Sequence, residues 1–136
     1  MSEWNDKVIE ELRANGGSAP SMGGATLLIL HTTGAKSGQE RLSPLLYRER
    51  GDDLVIFASY AGAPVNPAWF HNLVAHPEVE VALQGGPAVQ MRARVATADE
   101  RARLWPLITA DHQNYAEYQT RTERQIPLVL LNPDAA

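Results

Sequence analysis

The stretch Thr32-Thr33-Gly34-Ala35-Lys36-Ser37-Gly38-Gln39-Glu40-Arg41 joins two apolar runs of this 136-residue chain. Before it stands Thr26-Leu27-Leu28-Ile29-Leu30-His31, and after it stands Leu42-Ser43-Pro44-Leu45-Leu46-Tyr47. Two strands in a tight hairpin need only a short turn pair such as Asn-Gly. This connection instead carries two glycines, two cations and four side chains with a hydroxyl or amide group. Its residues therefore indicate a loop that does more than reverse the chain.

The composition of this loop suits an anion, and a phosphate most of all. Its glycines allow backbone N–H groups to converge on one point, and Lys36 and Arg41 would add positive charge there. The loop is not a Walker P-loop, because Ala35 precedes Lys36 and a strand, not a helix, follows. Taken alone, the same residues also fit a solvated hairpin tip, so the choice depends on the rest of the chain.

The overall composition is that of an ordinary globular protein. With 136 residues, 44% of them hydrophobic and 21% charged, and without an internal repeat, the sequence predicts a single domain over 1–136. The net charge of −4 argues against a general nucleic-acid binder, which needs a basic face. The chain has no cysteine, and its acidic-polar first residues and short apolar runs fit neither a signal peptide nor a bilayer span. We therefore expect a cytoplasmic protein.

Hydrophobic periodicity divides the chain into short helices and strands. An amphipathic helix is predicted over 3–14, followed by a flexible glycine-rich segment over 15–25. Further helices begin near 66, 97 and 111, and strands are predicted over 26–31, 41–50, 54–58, 78–84, 88–96 and 126–131. Most links between strands are short, which favours antiparallel pairing. The sequence thus predicts an α+β fold, in which about six strands form a small barrel with flanking helices.

Several local predictions follow from capping and proline rules. Asn66 is expected to cap a helix that begins at Pro67, and Thr97-Ala98-Asp99-Glu100 is a capping box. The helix after Thr97 is expected to break near Pro106, and Pro44 places its strand at an edge or a bulge. On the strand over 88–96, alternation predicts that four side chains point inward, namely Val89, Met91, Ala93 and Val95.

No constellation for nucleophilic or metal-dependent catalysis stands out in the sequence. Ser43 and Ser59 lack the Gly-x-Ser-x-Gly elbow, and no histidine–aspartate pair is placed by sequence. The four histidines are not paired with carboxylates at helical spacing, so no metal site is expected.

Aromatic residues follow loops in two places. Trp69 and Phe70 open a helix after the small-residue loop that begins at Ser59, and Tyr115 and Tyr118 lie one helical turn apart. Core packing is the ordinary role of such residues. The alternative is a planar cofactor whose ring lies near this loop and whose phosphate lies at the Gly-bracketed loop. A cofactor performs the difficult chemistry itself, which would explain why no acid–base pair is visible.

Three separate motifs together resemble the deazaflavin-dependent nitroreductases, the A group of F420-dependent oxidoreductases. The first is the stretch from His31 to Arg41 with Ser43-Pro44-Leu45. The second is Phe57-Ala58-Ser59-Tyr60-Ala61-Gly62-Ala63-Pro64, followed by Asn66-Pro67-Ala68-Trp69-Phe70-His71-Asn72-Leu73 and His76-Pro77. The third is Tyr115-Ala116-Glu117-Tyr118-Gln119, followed by Arg124 and Ile126-Pro127. The resemblance covers roughly residues 26–132 in the family's order.

The resemblance implies a split β-barrel, similar to that of FMN-binding proteins, which holds the deazaflavin coenzyme F420. It assigns the coenzyme phosphate to Ala35, Lys36, Ser37, Gly38, Gln39, Glu40 and Arg41. It places against the deazaflavin ring Ala58, Ser59 and Tyr60, and it adds to the coenzyme site Ala68, Trp69, Phe70, His71 and Asn72. Tyr115 would close over the coenzyme or the substrate.

The implied reaction is hydride transfer from F420H2 to an electron-poor acceptor, which is a quinone, an activated enone or lactone, or a nitro compound. Ser59 could hydrogen-bond the substrate oxygen that gains charge, and Tyr115 or Tyr118 could shape the pocket or donate a proton. Two alternatives stay open: a flavoprotein that binds FMN in the same fold, and a non-catalytic protein that binds or carries F420.

The chain also departs from parts of the family. Relatives with nitroimidazole activity carry tyrosines where this chain has Leu46 and His112, so nitroimidazoles are the acceptors that the resemblance supports least. Some relatives have a longer hydrophobic N-terminal segment linked to membrane association, whereas this chain has a short charged helix, so no stable membrane insertion is expected. Glu40 would oppose a phosphate unless it faces away or pairs with Arg41. We expect a small-molecule acceptor, no nucleic acid, and a monomer or homodimer with the Pro44 strand as a candidate edge.

Overall fold

A computed structural model gives the fold as a curled antiparallel sheet with flanking helices, which confirms the predicted α+β split barrel. It describes residues 3–22, 24–59, 65–84, 86–111 and 113–133. The helices are α1 (Glu3–Ala14), α2 (Ala68–Ala75), α3 (Ala98–Asp111) and α4 (Gln113–Thr120). The strands are β1 (Ser18–Ala19), β2 (Ala25–Thr26), β3 (Leu28–Thr33), β4 (Glu40–Leu45), β5 (Arg48–Arg50), β6 (Asp53–Phe57), β7 (Glu78–Ala82), β8 (Ala88–Val95) and β9 (Leu128–Asn132).

Seven of the strands form one sheet in the order β4-β3-β7-β8-β9-β6-β5, and all neighbours are antiparallel. The two edge strands, β4 and β5, are separated in the chain only by Leu46 and Tyr47. That link spans at most about 10 Å, whereas the edges of a flat seven-stranded sheet would lie about 29 Å apart. The sheet must therefore curl until its two edges approach each other, which produces the half-closed barrel.

Side chains alternate between the inside and the outside of the curled sheet. One apolar cluster fills the inside, and α2 closes it with Trp69 and Leu73. Two more clusters lie on the outside, where α1 covers β3 with residues such as Leu12, and α3 covers β6 and β9 with Leu104 and Ile108. Each of these three helices thus has one apolar face to bury, and the sheet offers three surfaces that receive them.

The glycine-rich segment 15–25, predicted to be flexible, contains a small hairpin of β1 and β2. Its described part is tied to α1, because the Glu11 carboxylate accepts hydrogen bonds from the Ser21 N–H at 2.8 Å and from Ser21 Oγ at 2.6 Å. Gly17, with φ of +95°, passes directly against Gln84. A Cβ at Gly17 would lie 2.7 Å from Gln84 Cα, so only glycine permits this approach.

Some strand predictions need correction. The strand predicted over 41–50 is two strands, which lie at opposite edges of the sheet, although the edge position of Pro44 is confirmed. On β8, Met91 and Ala93 are buried as predicted, but Val89 and Val95 are 53% and 42% exposed. The two valines lie near the ends of β8, and although both pair with buried residues of the interior cluster, Val81 and Val129, they are themselves left uncovered.

Two helix predictions also need correction. The capping box is present, since Thr97 N–H donates to Glu100 Oε1 at 2.9 Å and Glu100 N–H donates to Thr97 Oγ1 at 3.2 Å. The helix does not break near Pro106, which lies inside α3. Because Ala102 is exposed, water can satisfy the carbonyl that Pro106 leaves without a donor. The N-cap position of α2 is Pro67, not Asn66, and no side chain caps this helix.

Candidate functional site

The loop between β3 and β4 is held by its own hydrogen bonds. Gly34 N–H donates to Gln39 O at 2.8 Å, Gly38 N–H donates to Gly34 O at 2.9 Å, and Gln39 N–H donates to Ser37 Oγ at 3.2 Å. Gly38 has φ of +70°, which favours glycine, and a Cβ on Gly34 would overlap Ser37 Oγ. The backbone at Gly38 therefore favours glycine, and a side chain at Gly34 would displace the Ser37 hydroxyl from its hydrogen bond with Gln39 N–H.

Asn72 of α2 attaches this loop to the inside of the barrel. Its Oδ1 accepts a hydrogen bond from Ala35 N–H at 3.0 Å, and its Nδ2 donates to Thr32 Oγ1 at 3.4 Å. Both Asn72 and Thr32 are buried, with 9% and 3% of their surface exposed. The amide thus fixes the start of the loop relative to α2.

Alternation along β4 separates the two charges that end the loop. Arg41, opposite Thr32, lies on the side of the strand that faces α2. Glu40 lies on the other side, where its Oε2 is 3.4 Å from His31 Nδ1. Glu40 therefore faces away from Arg41, which was one of the two arrangements that the sequence left open.

A cavity of about 680 Å³ opens between this loop, β4 and the first residues of α1 and α2. Eight of the residues predicted to hold the coenzyme line it, namely Ala35, Lys36, Ser37, Arg41, Ala68, Trp69, His71 and Asn72. The structure thus brings together two motifs that are more than 25 positions apart in the chain.

The cavity has a positive end and an apolar wall. Lys36 and Arg41 supply two cations, and the lining residues in the described part of the chain include no carboxylate. The first residue of α2, Ala68, also lines the cavity, and the partial positive charge of a helix N-terminus favours an anion there. Trp69 is mainly a core residue, but it forms part of the wall. Its ring packs in a T-shaped arrangement with that of Phe70, and the two ring centroids are 6.5 Å apart.

The remaining predicted residues of the phosphate loop lie elsewhere. Gly38 and Glu40 line a second cavity of about 310 Å³ on the outside of the sheet, beside Glu78 and Glu80. Gln39 lines neither of the two cavities. Among the described residues, no group of three or more histidine, aspartate or glutamate side chains is arranged to hold a metal ion.

Ala58 and Ser59, predicted to face the ring, lie at the end of β6 and are buried. They do not line the 680 Å³ cavity, and Arg124 holds their backbone. Its Nη1 donates to Ala58 O at 3.1 Å and to Asn66 Oδ1 at 2.7 Å, and its Nη2 donates to Ser59 O at 2.9 Å. Burial lowers the pKa of this guanidinium below its usual value.

The tyrosines named by the sequence are only partly accounted for. Tyr118 packs on the outer cluster beneath α3, with the Arg121 guanidinium 5.5 Å from its ring centroid, and it does not line the 680 Å³ cavity. Tyr60 and the side chain of Tyr115 lie outside the described residues, as does His112.

Sequence reasoning missed several residues of this region. Asn5 of α1, Leu42 and Ser43 also line the cavity. Alternation along β4 could have identified Ser43, which lies two residues after Arg41, but no local signal connects Asn5 to the loop between β3 and β4. The position of Asn5 depends on long-range packing.

The lining residues fit a coenzyme that carries a phosphate. Two cations, Lys36 and Arg41, and the uncapped start of α2 line the same cavity as Gly34. The apolar wall at Trp69 continues from this positive end. These features match the donor groups that phosphate binding uses in other proteins.

Comparisons with known proteins identify relatives of this chain. A family model described as F420H(2)-dependent quinone reductase matches residues 4–133. An F420H(2)-dependent quinone reductase of Mycobacterium tuberculosis is 43% identical over 108 residues, which cover 76% of this chain and 71% of that protein.

Solved structures give the same result. An F420-H2 dependent reductase has a TM-score of 0.70 at 36% identity, with 78% of this chain and 93% of that chain covered. A chain described as a domain-swapped dimer has a TM-score of 0.72 at 31% identity, and the match covers 96% of this chain and 98% of that chain. An FAD-binding protein from Mesorhizobium loti shares only the fold, with 16% identity, 98% and 91% coverage and a TM-score of 0.52.

None of the helices that the structure describes has the length and apolarity needed to cross a bilayer. The family match spans nearly the whole chain, and it agrees with the relatives and the solved structures. The chain belongs to the F420H2-dependent quinone reductase family, a family of oxidoreductases whose coenzyme is F420.

Proposed function

We propose that this chain catalyses hydride transfer from F420H2 to a quinone, with the coenzyme phosphate held by the loop between β3 and β4. The observation that carries the proposal is the 680 Å³ cavity, in which Lys36 and Arg41 meet the first turn of α2. When bound, F420H2 supplies the hydride. The residues of the chain bind and orient the coenzyme and stabilise the charge that develops on the acceptor.

The phosphate end is built from two cations and the start of a helix. Lys36 and Arg41 would neutralise the phosphate beside the first turn of α2. Asn72 holds Ala35 in place, so the loop need not become ordered when the coenzyme binds. His71 and Trp69 form the wall along which the rest of the coenzyme extends.

The acceptor end is proposed at the end of β6. Ala58, Ser59 and Tyr60 would face the ring, and Ser59 would hydrogen-bond the acceptor oxygen as it gains negative charge. Tyr115 and Tyr118 are proposed to shape the acceptor space or to donate the proton that completes the reduction. The position of Tyr118 on the outer cluster favours Tyr115 for direct contact.

Quinones are the primary acceptors in this proposal, because that is the acceptor in the name of the family. Activated enones, unsaturated lactones and nitro compounds belong to the same electron-poor class and are proposed as secondary acceptors. Each places negative charge on an oxygen as it accepts a hydride, so Ser59 would serve all three.

We propose that the protein acts in the cytoplasm as a monomer or a homodimer. The relative described as a domain-swapped dimer supports the second form, and the edge strands β4 and β5 offer surfaces for pairing. Light scattering of the purified protein distinguishes the two forms. Recovery of most of the activity in a washed membrane fraction would contradict the proposed location.

The proposal is tested by titrating the protein with F420 and, in parallel, with FMN, while the coenzyme fluorescence is followed. We expect saturable binding of F420 and, with the reduced coenzyme, its oxidation when a quinone is added. Preference for FMN would establish the flavoprotein alternative, and binding of F420H2 without turnover of any acceptor would establish the carrier alternative.

A further inference from the structure

One guanidinium connects the two ends of the segment that leads from β6 to α2. Arg124, on the chain between α4 and β9, donates hydrogen bonds to Ala58 O and Ser59 O at one end and to Asn66 Oδ1 at the other. The three acceptors belong to Ala58, Ser59 and Asn66, which precede Arg124 by at least 58 positions in the chain. A distant residue therefore links the two ends of this short segment.

The two carbonyls at the first end show what the guanidinium does to the backbone. In a β-strand, successive carbonyls point to opposite sides. Ala58 O and Ser59 O both point to Arg124, so the chain has left strand geometry here, which agrees with the end of β6 at Phe57. The Ala58–Ser59 peptide is trans, and the Ser59 N–H consequently points away from the guanidinium.

Arg124 is itself held in place through its own backbone. Gln119 Nε2 donates to Arg124 O at 2.7 Å, and Gln119 Oε1 accepts from Ile126 N–H at 2.9 Å. Arg101 of α3 donates to the same Gln119 oxygen at 3.0 Å and to Ile126 O at 2.8 Å. The backbone of Arg124 is thus tied to helices α3 and α4, independently of the segment that its side chain binds.

We propose that Arg124 is a positioning residue for the coenzyme ring, because it fixes the peptide groups of Ala58 and Ser59 through their carbonyls and fixes the start of α2 through Asn66. The proposal rests on the proposed function for one point, the contact of Ala58 and Ser59 with the ring. Arg124 acts through these residues and touches neither coenzyme nor acceptor in the proposal.

The shape of the guanidinium matters here, not only its charge. Two of its nitrogens reach three acceptors on two different segments. A lysine ammonium carries its donors on a single nitrogen and cannot reproduce this fork. Lysine at position 124 should therefore keep the charge but lose part of the positioning, and glutamine should lose both.

The first test compares Arg124→Gln, Arg124→Lys and Asn66→Ala with Arg103→Gln, which removes an exposed arginine of α3 as a matched control. Fluorescence titration gives both the Kd for F420 and the number of binding sites per chain. We expect the Kd to rise about tenfold in Arg124→Gln and about threefold in Arg124→Lys and in Asn66→Ala, because one to three hydrogen bonds are lost. The number of binding sites should stay at about one per chain in every variant. Arg103→Gln should match the wild type.

The two measured quantities separate positioning from simple loss of fold. A variant that only unfolds in part would lose binding sites at an unchanged Kd, and that result would overturn the proposal. If Arg124→Gln yields no folded protein, Arg124→Lys and Asn66→Ala decide, and a wild-type Kd in both would also overturn it. The double variant Arg124→Lys with Asn66→Ala should be less than additive in Kd, because the two residues share one contact.

A second test needs no coenzyme. Amide hydrogen exchange of the coenzyme-free protein should be about tenfold or more faster at Ser59 in Arg124→Gln than in wild type, because the backbone there loses its anchor. Unchanged exchange would refute the positioning role. If the wild-type chain fails to bind F420 while this exchange effect is present, the proposed function is wrong and the role of Arg124 in fixing the backbone stands.

Discussion

Substitution of Asn72 tests how the loop between β3 and β4 is attached to the barrel. In Asn72→Ala the loop loses the acceptor of Ala35 N–H and the donor to Thr32 Oγ1, two hydrogen bonds of 3.0 and 3.4 Å. Because Asn72 and Thr32 are buried, the loss should cost about 2 kcal/mol of unfolding free energy. For a chain of this length that is a fall in Tm of about 7 °C.

Asn72→Asp separates stability from binding. The carboxylate still accepts from Ala35 N–H, and the Thr32 hydroxyl can rotate to donate to it, so we expect a smaller loss of stability than in Asn72→Ala. However, the new negative charge lies beside the loop proposed to hold the phosphate. A like charge within about 10 Å costs about 1–2 kcal/mol, so F420 should bind about tenfold more weakly.

The assay pairs urea unfolding with fluorescence titration of two ligands, F420 and its deazaflavin chromophore without the phosphate side chain. Asn72→Asp should weaken the binding of F420 but not that of the chromophore without the phosphate. The control is Asn132→Ala, which should bind both ligands as the wild type does, since Asn132 is exposed and distant from the loop. Equal weakening of both ligands by Asn72→Asp, or no weakening of F420, would refute the assignment of the phosphate to this loop.

Three further predictions concern charge, backbone and pH. Lys36→Gln should weaken F420 binding about tenfold at low salt, and the difference from wild type should shrink as salt is added, which titration at two ionic strengths would show. Gly17→Ala should lower the unfolding free energy by about 2–3 kcal/mol, because its Cβ would meet the Gln84 backbone. Gly24→Ala is the control, since Gly24 also has a positive φ, of +80°, but lies in open space, and this change should cost about 1 kcal/mol. Equal losses of unfolding free energy in urea would contradict the prediction. Hydrogen bonds from Arg94 and Thr97 lower the pKa of Glu100 from 4.5 to about 2, so its contribution is complete above pH 4.5 and is lost as the pH falls towards 2. Since the Arg94 side chain is 53% exposed, this contribution should be about 1 kcal/mol after solvent screening, and unfolding of Glu100→Gln should lack that part of the acid dependence.

The fold was predictable where local rules act alone. The helix over 3–14, the capping box at Thr97 and the edge position of Pro44 depend on nearest neighbours, and the structure agrees with all three. The split of 41–50 into β4 and β5 was not predictable, because no glycine or turn motif interrupts this stretch. The sequence therefore does not show that the chain passes from one edge of the sheet to the other at Leu46 and Tyr47. The exposure of Val89 was not predictable from alternation either, because its cross-strand partner Val81 is buried in the interior cluster while Val89 itself is 53% exposed.

The candidate site divides in a similar way. The residues of the loop and of α2 were predictable as motifs, and their meeting in one cavity follows from the sheet order. Asn66 was expected to cap α2, but Pro67 occupies the N-cap position, and Asn66 Oδ1 accepts a hydrogen bond from Arg124. A local capping preference was thus replaced by a contact 58 positions away, which sequence periodicity cannot indicate.

The charge of the cavity depends on a single strand boundary. Glu40 and Arg41 are adjacent, and in an irregular loop both could have turned toward the same ligand and cancelled each other. Because β4 already includes Glu40, alternation sends its carboxylate to His31 on the outside and leaves Arg41 beside Lys36 on the inside. Strand boundaries are the least certain feature of any sequence-based interpretation. The sequence could therefore name the charged residues of the loop, but only the register of β4 with β3 determines that the cavity is positive.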